Sequence, residues 1–60
     1  MVTYTVHRYK VDESGRIYGQ PIPTHVWTKE LADAYRGMRF VDKIEENENG
    51  KSIVIWENRR

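Results

Sequence analysis

Two histidines, four neighbouring carboxylates and a short basic stretch are the residues of this chain whose types could do chemistry. His7 and His25 stand far apart in the sequence. His7 could act as a base near neutral pH, yet no Ser-rich nucleophile turn and no Gly-rich phosphate loop accompanies it. Asp42, Glu45, Glu46 and Glu48 could be drawn as a carboxylate pair or a metal site. Their spacing matches no calcium loop, and such residues on a hairpin more simply keep it solvated. The chain has no cysteine, which excludes disulfides and Cys-ligated zinc. The expectation is a protein that is not an enzyme, with no catalytic residue, no cofactor and no metal.

Arg8, Lys10 and Arg16 gather with Tyr9 near the first turn. Bases beside an aromatic ring can hold phosphates while the ring stacks a nucleobase. These residues therefore define a nucleic-acid reading. Against it, the net charge is only +1, so no overall field draws the chain toward nucleic acid or membrane. The composition is 38% hydrophobic and 32% charged, with two Trp, four Tyr and one Phe. That many rings argue against disorder, because each can bury a large apolar area.

The elements that must position these residues follow from period and punctuation. Val2 to Val11 alternates, with Val2, Tyr4 and Val6 on one face and Thr3, Thr5, His7 and Tyr9 on the other, which predicts a strand. A second extended segment runs from Ile17 to Trp27. Gly19 and Pro21-Ile22-Pro23 interrupt it, so Ile17 to Gln20 is the firmly paired part, and the segment belongs at an edge or is split. Thr28 is a suitable N-cap. Leu31, Ala34, Tyr35 and Met38 then form one apolar stripe, which predicts a helix from Lys29 to about Arg39. Trp27, just before the cap, either staples the helix start against Ala32 or Leu31 or extends a patch with His25. Phe40 to Glu46 and Lys51 to Glu57 read as the third and fourth strands.

One turn pattern occurs twice. Asp12-Glu13-Ser14-Gly15-Arg16 and Asn47-Glu48-Asn49-Gly50-Lys51 share an Asx, a Glu, a small polar residue, a Gly and a base. An Asx side chain can bond forward to its own backbone, and Gly accepts the left-handed conformation that closes a hairpin. Two registers are open for the second hairpin. One pairs Ile44 with Ile55 and Glu48 with Lys51; the other pairs Ile44 with Ile53 and Glu46 with Lys51. Both place Ile44, Ile53 and Ile55 on one face and Lys43, Glu45, Val54 and Trp56 on the other. The fold class is therefore α+β: an antiparallel sheet in ββαββ order with one helix packed on one face. Tyr4, Val6, Leu31, Ala34, Tyr35, Met38, Ile44, Ile53 and Ile55 are the expected core.

Sixty residues make one domain, spanning residues 1–60, with a marginal core. A small domain without disulfides often gains stability from a partner subunit. One helix covers one sheet face, so Tyr9, Trp56, Val54, His7 and Lys43 are expected together on the uncovered face. Exposed Tyr and Trp are typical interface anchors. The leading expectation is a non-catalytic protein-binding module that docks a partner protein, with a symmetric homodimer as the simplest assembly. The alternative is a nucleic-acid-binding accessory domain using Arg8, Lys10 and Arg16.

The stretch Trp27-Thr28-Lys29-Glu30-Leu31-Ala32 after a sheet resembles the helix start in the arm-binding N-terminal domain of phage-type tyrosine recombinases. The strands here lack the dense basic residues of that family, and the acidic second hairpin is an addition, so no DNA contact is carried over. Taken as a whole, Asp12 to Gly15, Thr28 to Ala34 and Asn49-Gly50 resemble the hairpin–helix–hairpin pattern of small uncharacterised accessory proteins of bacteria and their phages. That resemblance implies an accessory or inhibitor protein acting by binding. Met1-Val2-Thr3-Tyr4 lacks the basic and apolar blocks of a signal peptide, and Ile53-Val54-Ile55-Trp56 is too short to span a bilayer. A complete cytoplasmic protein with no membrane partner is expected.

Overall fold

The computed structural model describes residues 1–59, so the basic tail Arg59-Arg60 falls partly outside the described residues. The alternating N-terminal segment forms β1, Val2–Val11. It is followed by β2 (Ile17–Val26), α1 (Lys29–Asp33), β3 (Val41–Glu48) and β4 (Lys51–Glu57). The strands make one antiparallel sheet in the order β2-β1-β3-β4. A small antiparallel sheet with one short helix between its hairpins is the α+β arrangement that the alternation and turns predict.

β2 is continuous where an interruption is expected. Ile22 to Val26 pairs with Arg8 to Tyr4. β2 lies at an edge, and proline is tolerated there because outward amides have no ladder partner to lose. The interruption survives as a register shift: Lys10 pairs with Tyr18 but Arg8 with Ile22. Gly19 sits at that shift with φ 78°, a left-handed conformation that favours glycine.

The helix is shorter than its apolar stripe suggests. α1 covers Lys29–Asp33, with the Thr28 hydroxyl accepting from the Leu31 amide at 3.2 Å. Beyond it the chain makes tighter i to i+3 turns: Tyr35 N to Ala32 O, Arg36 N to Asp33 O and Met38 N to Tyr35 O. Such bonds tighten the end of a helix, and Gly37 at φ 81° ends the run. The buried position is Ala32, with Tyr35 packed beside it, while Leu31 and Met38 are 49% and 38% exposed. Of the stripe read from the sequence, Tyr35 packs inward, while Leu31, Ala34 and Met38 are exposed and Ala32, outside the stripe, is buried. Trp27 is 69% exposed, so it does not act as the staple.

Val6, Ala32, Val41 and Ile44 are fully buried and Tyr4 nearly so; Val2, Val26, Tyr35, Phe40, Ile55 and Trp56 pack against them. Complete burial of Val6, Val41 and Ile44 is worth about 1.5–3 kcal/mol each by area. Ile53, expected in the core, is instead 63% exposed. It pairs with Glu46, near the end of the sheet that carries the second turn. Burial also pushes the Tyr4 phenol above its usual range, with Glu46 and Asp33 adding to the effect.

The two turns are built differently. In the first, Asp12 N donates to Arg16 O and Gly15 N to Asp12 O. This makes a three-residue loop closed by Gly15 at φ 86°. The Asp12 carboxylate Oδ1 also accepts from Ser14 N, Ser14 Oγ and Arg16 N. In the second, Glu48 pairs with Lys51, and Asn49 and Gly50 alone make the loop, at φ 52° and 78°.

The β3–β4 register then differs from both alternatives read from the sequence. Glu48 pairs with Lys51 as in one of them, but Glu45 pairs with Val54 and Ile44 with Trp56. Ile55 is the extra residue of a bulge. Beyond the bulge the faces exchange. Trp56 therefore lies beside Ile44 and packs against the core, not on the face with His7 where strict alternation places it.

Candidate binding groove on the first hairpin

Paired residues share a face, so the register defines a polar face of the sheet. It carries His25, Thr5 and Glu45 in one row and His7 beside Lys43. Hydrogen bonds join these side chains across all four strands. Asn47 Nδ2 donates to Thr5 Oγ1 at 2.8 Å, His25 Nδ1 lies 3.3 Å from the same oxygen, and Ser52 Oγ donates to Asn47 Oδ1 at 2.6 Å. His7 Nε2 meets Glu45 Oε1 at 2.5 Å. No buried side-chain nitrogen or oxygen among the described residues lacks a partner. The face is mostly polar and internally bonded, with Val54 as an exposed apolar side chain at its β4 edge.

A concave surface forms elsewhere, because β1 outruns β3. β1 continues to Val11, while β3 begins at Val41, opposite Arg8. The tip of the first hairpin therefore projects past the rest of the sheet, and the molecule measures 39 × 20 × 19 Å. Tyr9 N still donates to Phe40 O at 2.8 Å, and the Arg39 guanidinium donates to Gly15 O at 2.8 Å. These two bonds brace the tip against the segment before β3.

The space below the tip is a groove of about 410 Å³. Tyr9, Tyr18, Phe40, Val11, Ile22, Arg8 and Lys10 line it. Tyr18, Val11 and Ile22 are 52%, 48% and 45% exposed. No acid lines the groove, although the Tyr9 hydroxyl donates to Asp42 Oδ1 at 3.5 Å near its margin. Arg8 is held in place: its Nε donates to Thr24 Oγ1 at 3.1 Å, and its guanidinium lies 5.9 Å from the centroid of the Tyr35 ring. Lys10 is exposed. Hydrogen bonds from Ser14 and Arg16 hold the Asp12 carboxyl below the usual carboxylate range, so the turn at the tip keeps its negative charge into acid.

Three of the five residues expected to form one partner surface share the polar face and two do not. His7 and Lys43 are paired neighbours there, and Val54 lies on the same face, in the row of Thr5 and Glu45. Tyr9 belongs to the groove, and Trp56 packs against the core. The bulge at Ile55 is the reason for the last displacement. Of the basic trio, Arg8 and Lys10 reach the groove, while Arg16 stays at the turn, its amide bonded to Asp12. Val11, Tyr18, Ile22 and Phe40 were not singled out as site residues. The sequence does hold one sign of them: apolar residues close on either side of a polar turn, where a projecting hairpin leaves them uncovered.

Among the described residues, no group of three His, Asp or Glu side chains is placed to hold a metal ion, and no helix is long and apolar enough to cross a membrane. No protein-family model matches the chain, and neither does any curated protein or any solved structure.

Proposed function

We propose that this chain is a non-catalytic binding module, an accessory or inhibitor protein, whose helix lies over the core face and leaves the groove at the first hairpin to dock a partner protein. The observation that carries the reading is the set of residues lining the groove: three aromatic, two aliphatic and two basic, with no acid among them. Apolar surface of this kind anchors a partner, and Arg8 with Lys10 selects for its charge. The occupant is accordingly a segment bearing an apolar or aromatic residue beside a carboxylate. Tyr9 remains an anchor, and Tyr18 joins it. His7, Lys43, Val54 and Trp56 are not needed for this contact.

The nucleic-acid alternative is favoured by one feature, the juxtaposition of Tyr9, Tyr18 and Phe40 with Arg8 and Lys10. Rings and bases so placed suit a single strand. Titration with a capped peptide of alternating Glu and Phe, and with a short oligothymidine, separates the two. Saturable peptide binding that is lost in Tyr18→Ala supports the protein reading. Oligothymidine binding that weakens steeply with salt, with no peptide binding, supports the alternative. Binding of neither probe removes both readings of the groove.

A further inference from the structure

The sheet has two edges, and they are protected differently. β2 carries Gly19, Pro21 and Pro23, which deny a neighbouring strand donors and regularity. β4 carries no proline and no glycine. Its charges, Lys51 and Glu57, stand at its ends, leaving Ser52-Ile53-Val54-Ile55-Trp56 uncharged. Ile53 and Val54 are 63% and 45% exposed and lie on opposite faces of the strand.

The backbone direction follows from the turn. A pair that flanks a two-residue loop is hydrogen-bonded, and bonded and non-bonded pairs then alternate. Glu48 and Lys51 flank the loop, so Lys51 and Ile53 bond toward β3. Ser52 and Val54 therefore present their amides and carbonyls outward. The bulge at Ile55 bends the strand beyond Val54, which confines any added pairing to the part nearest the turn.

Charge selects the occupant. The segment from Asp42 to Glu57 holds Asp42, Glu45, Glu46, Glu48 and Glu57 against Lys43 and Lys51. Glu46 and Glu45 stand directly behind Ile53 and Val54 on the two faces of the sheet. Two copies joined edge to edge would bring two such acidic hairpins together, which disfavours self-pairing. We infer that the outer edge of β4 takes an extended, basic segment of a partner protein as an added strand, with Ser52 and Val54 supplying the backbone bonds and Glu46 and Glu48 the complementary charge. This site is independent of the groove, which prefers acidic segments.

The probe is a capped hexapeptide of alternating Lys and Val, titrated into the full chain while amide resonances are followed. Saturable shifts centred on Ser52 and Val54 are expected, with no response at those two residues to a control hexapeptide of alternating Glu and Val, the Glu–Val peptide. Val54→Pro removes an outward donor and should abolish binding while the Val6 and Ile44 resonances stay in place. Glu46→Gln combined with Glu48→Gln should weaken binding about tenfold. If Val54→Pro unfolds the chain, the shift map on the unaltered protein decides. Shifts from the Lys–Val peptide centred on the first hairpin, equal binding of the Glu–Val peptide at Ser52 and Val54, unchanged affinity in a folded Val54→Pro, no saturable binding, or self-association through β4 without peptide would each overturn the inference.

Discussion

The two hairpins share one five-residue pattern and use it for different ends. In the first, Asp12 is the hub of its own turn, accepting from Ser14 and Arg16. In the second, the corresponding Asn47 lies within β3 and bonds sideways to Thr5 and Ser52. The difference traces to the residue before the glycine. Asn tolerates the left-handed conformation better than Ser does, and Asn49 adopts it at φ 52°. A two-residue loop is then enough, and the Asx two places earlier is released into the sheet. Ser14 leaves Gly15 as the one left-handed residue of the first turn, and the loop lengthens by one. Similar spelling thus yields a projecting tip in one place and a cross-sheet brace in the other.

The largest test of that contrast is in the core. Ile44, fully buried on β3, should cost about 2–5 kcal/mol on truncation to Ala, enough to unfold most of a marginal domain. Ile22→Ala on the projecting hairpin, where the side chain is 45% exposed, should cost less than about 1 kcal/mol by its smaller lost burial. Denaturant titration of both variants measures the difference; equal losses would show that the first hairpin is as deeply built into the fold as the second.

Exchanging the residues before the glycines sharpens the comparison. Asn49→Ser places serine at φ 52° and should cost about 1–2 kcal/mol. Ser14→Asn imposes no backbone strain, because Ser14 is not left-handed, and should cost less than about 1 kcal/mol through the exposed hydroxyl bond to Asp12 that it removes. Asn47→Ala should cost about 1 kcal/mol by leaving Thr5 without its closest partner, with slowed amide exchange lost in β1 and β3 but retained at the second turn.

The smallest effects are in pH. The Asp12 carboxyl is held below its usual range in the fold, so its contribution is present above the ordinary carboxylate range and fades as pH falls through the folded value. Unfolding curves in acid should converge for the natural chain and Asp12→Ala. The Tyr4 phenol is held above its ordinary 10.0. Its contribution is complete below that pH and fades as pH rises through the folded value, whereas Tyr4→Phe should show no such loss. Curves that stay parallel at either extreme would deny the corresponding shift.

Much of the fold is legible in the sequence. The alternation of Val2 to Val11, the Thr28 cap and the Asn49-Gly50 loop each act locally, and each stands where local chemistry puts it. What is not legible depends on partners distant in the chain. Nothing around Ile55 announces an extra residue; the bulge exists only relative to Ile44 and Glu45, and it turns Trp56 inward. The apolar stripe runs on past α1, which covers only Lys29–Asp33 and has Ala32 as its buried residue. The groove is half visible in the sequence, since the types of Tyr9, Arg8 and Lys10 point to binding. Tyr18 and Phe40 join them only because β1 outruns β3, which depends on register rather than composition.

The central claim is that the binding surface lies under the projecting tip of the first hairpin and not on the polar face of the sheet. Amide shift mapping of the full chain with the Glu–Phe peptide tests it most directly. Saturable shifts confined to Tyr9, Lys10, Val11, Tyr18, Ile22 and Phe40 are expected. Shifts centred instead on His7, Lys43 and Val54 would contradict it.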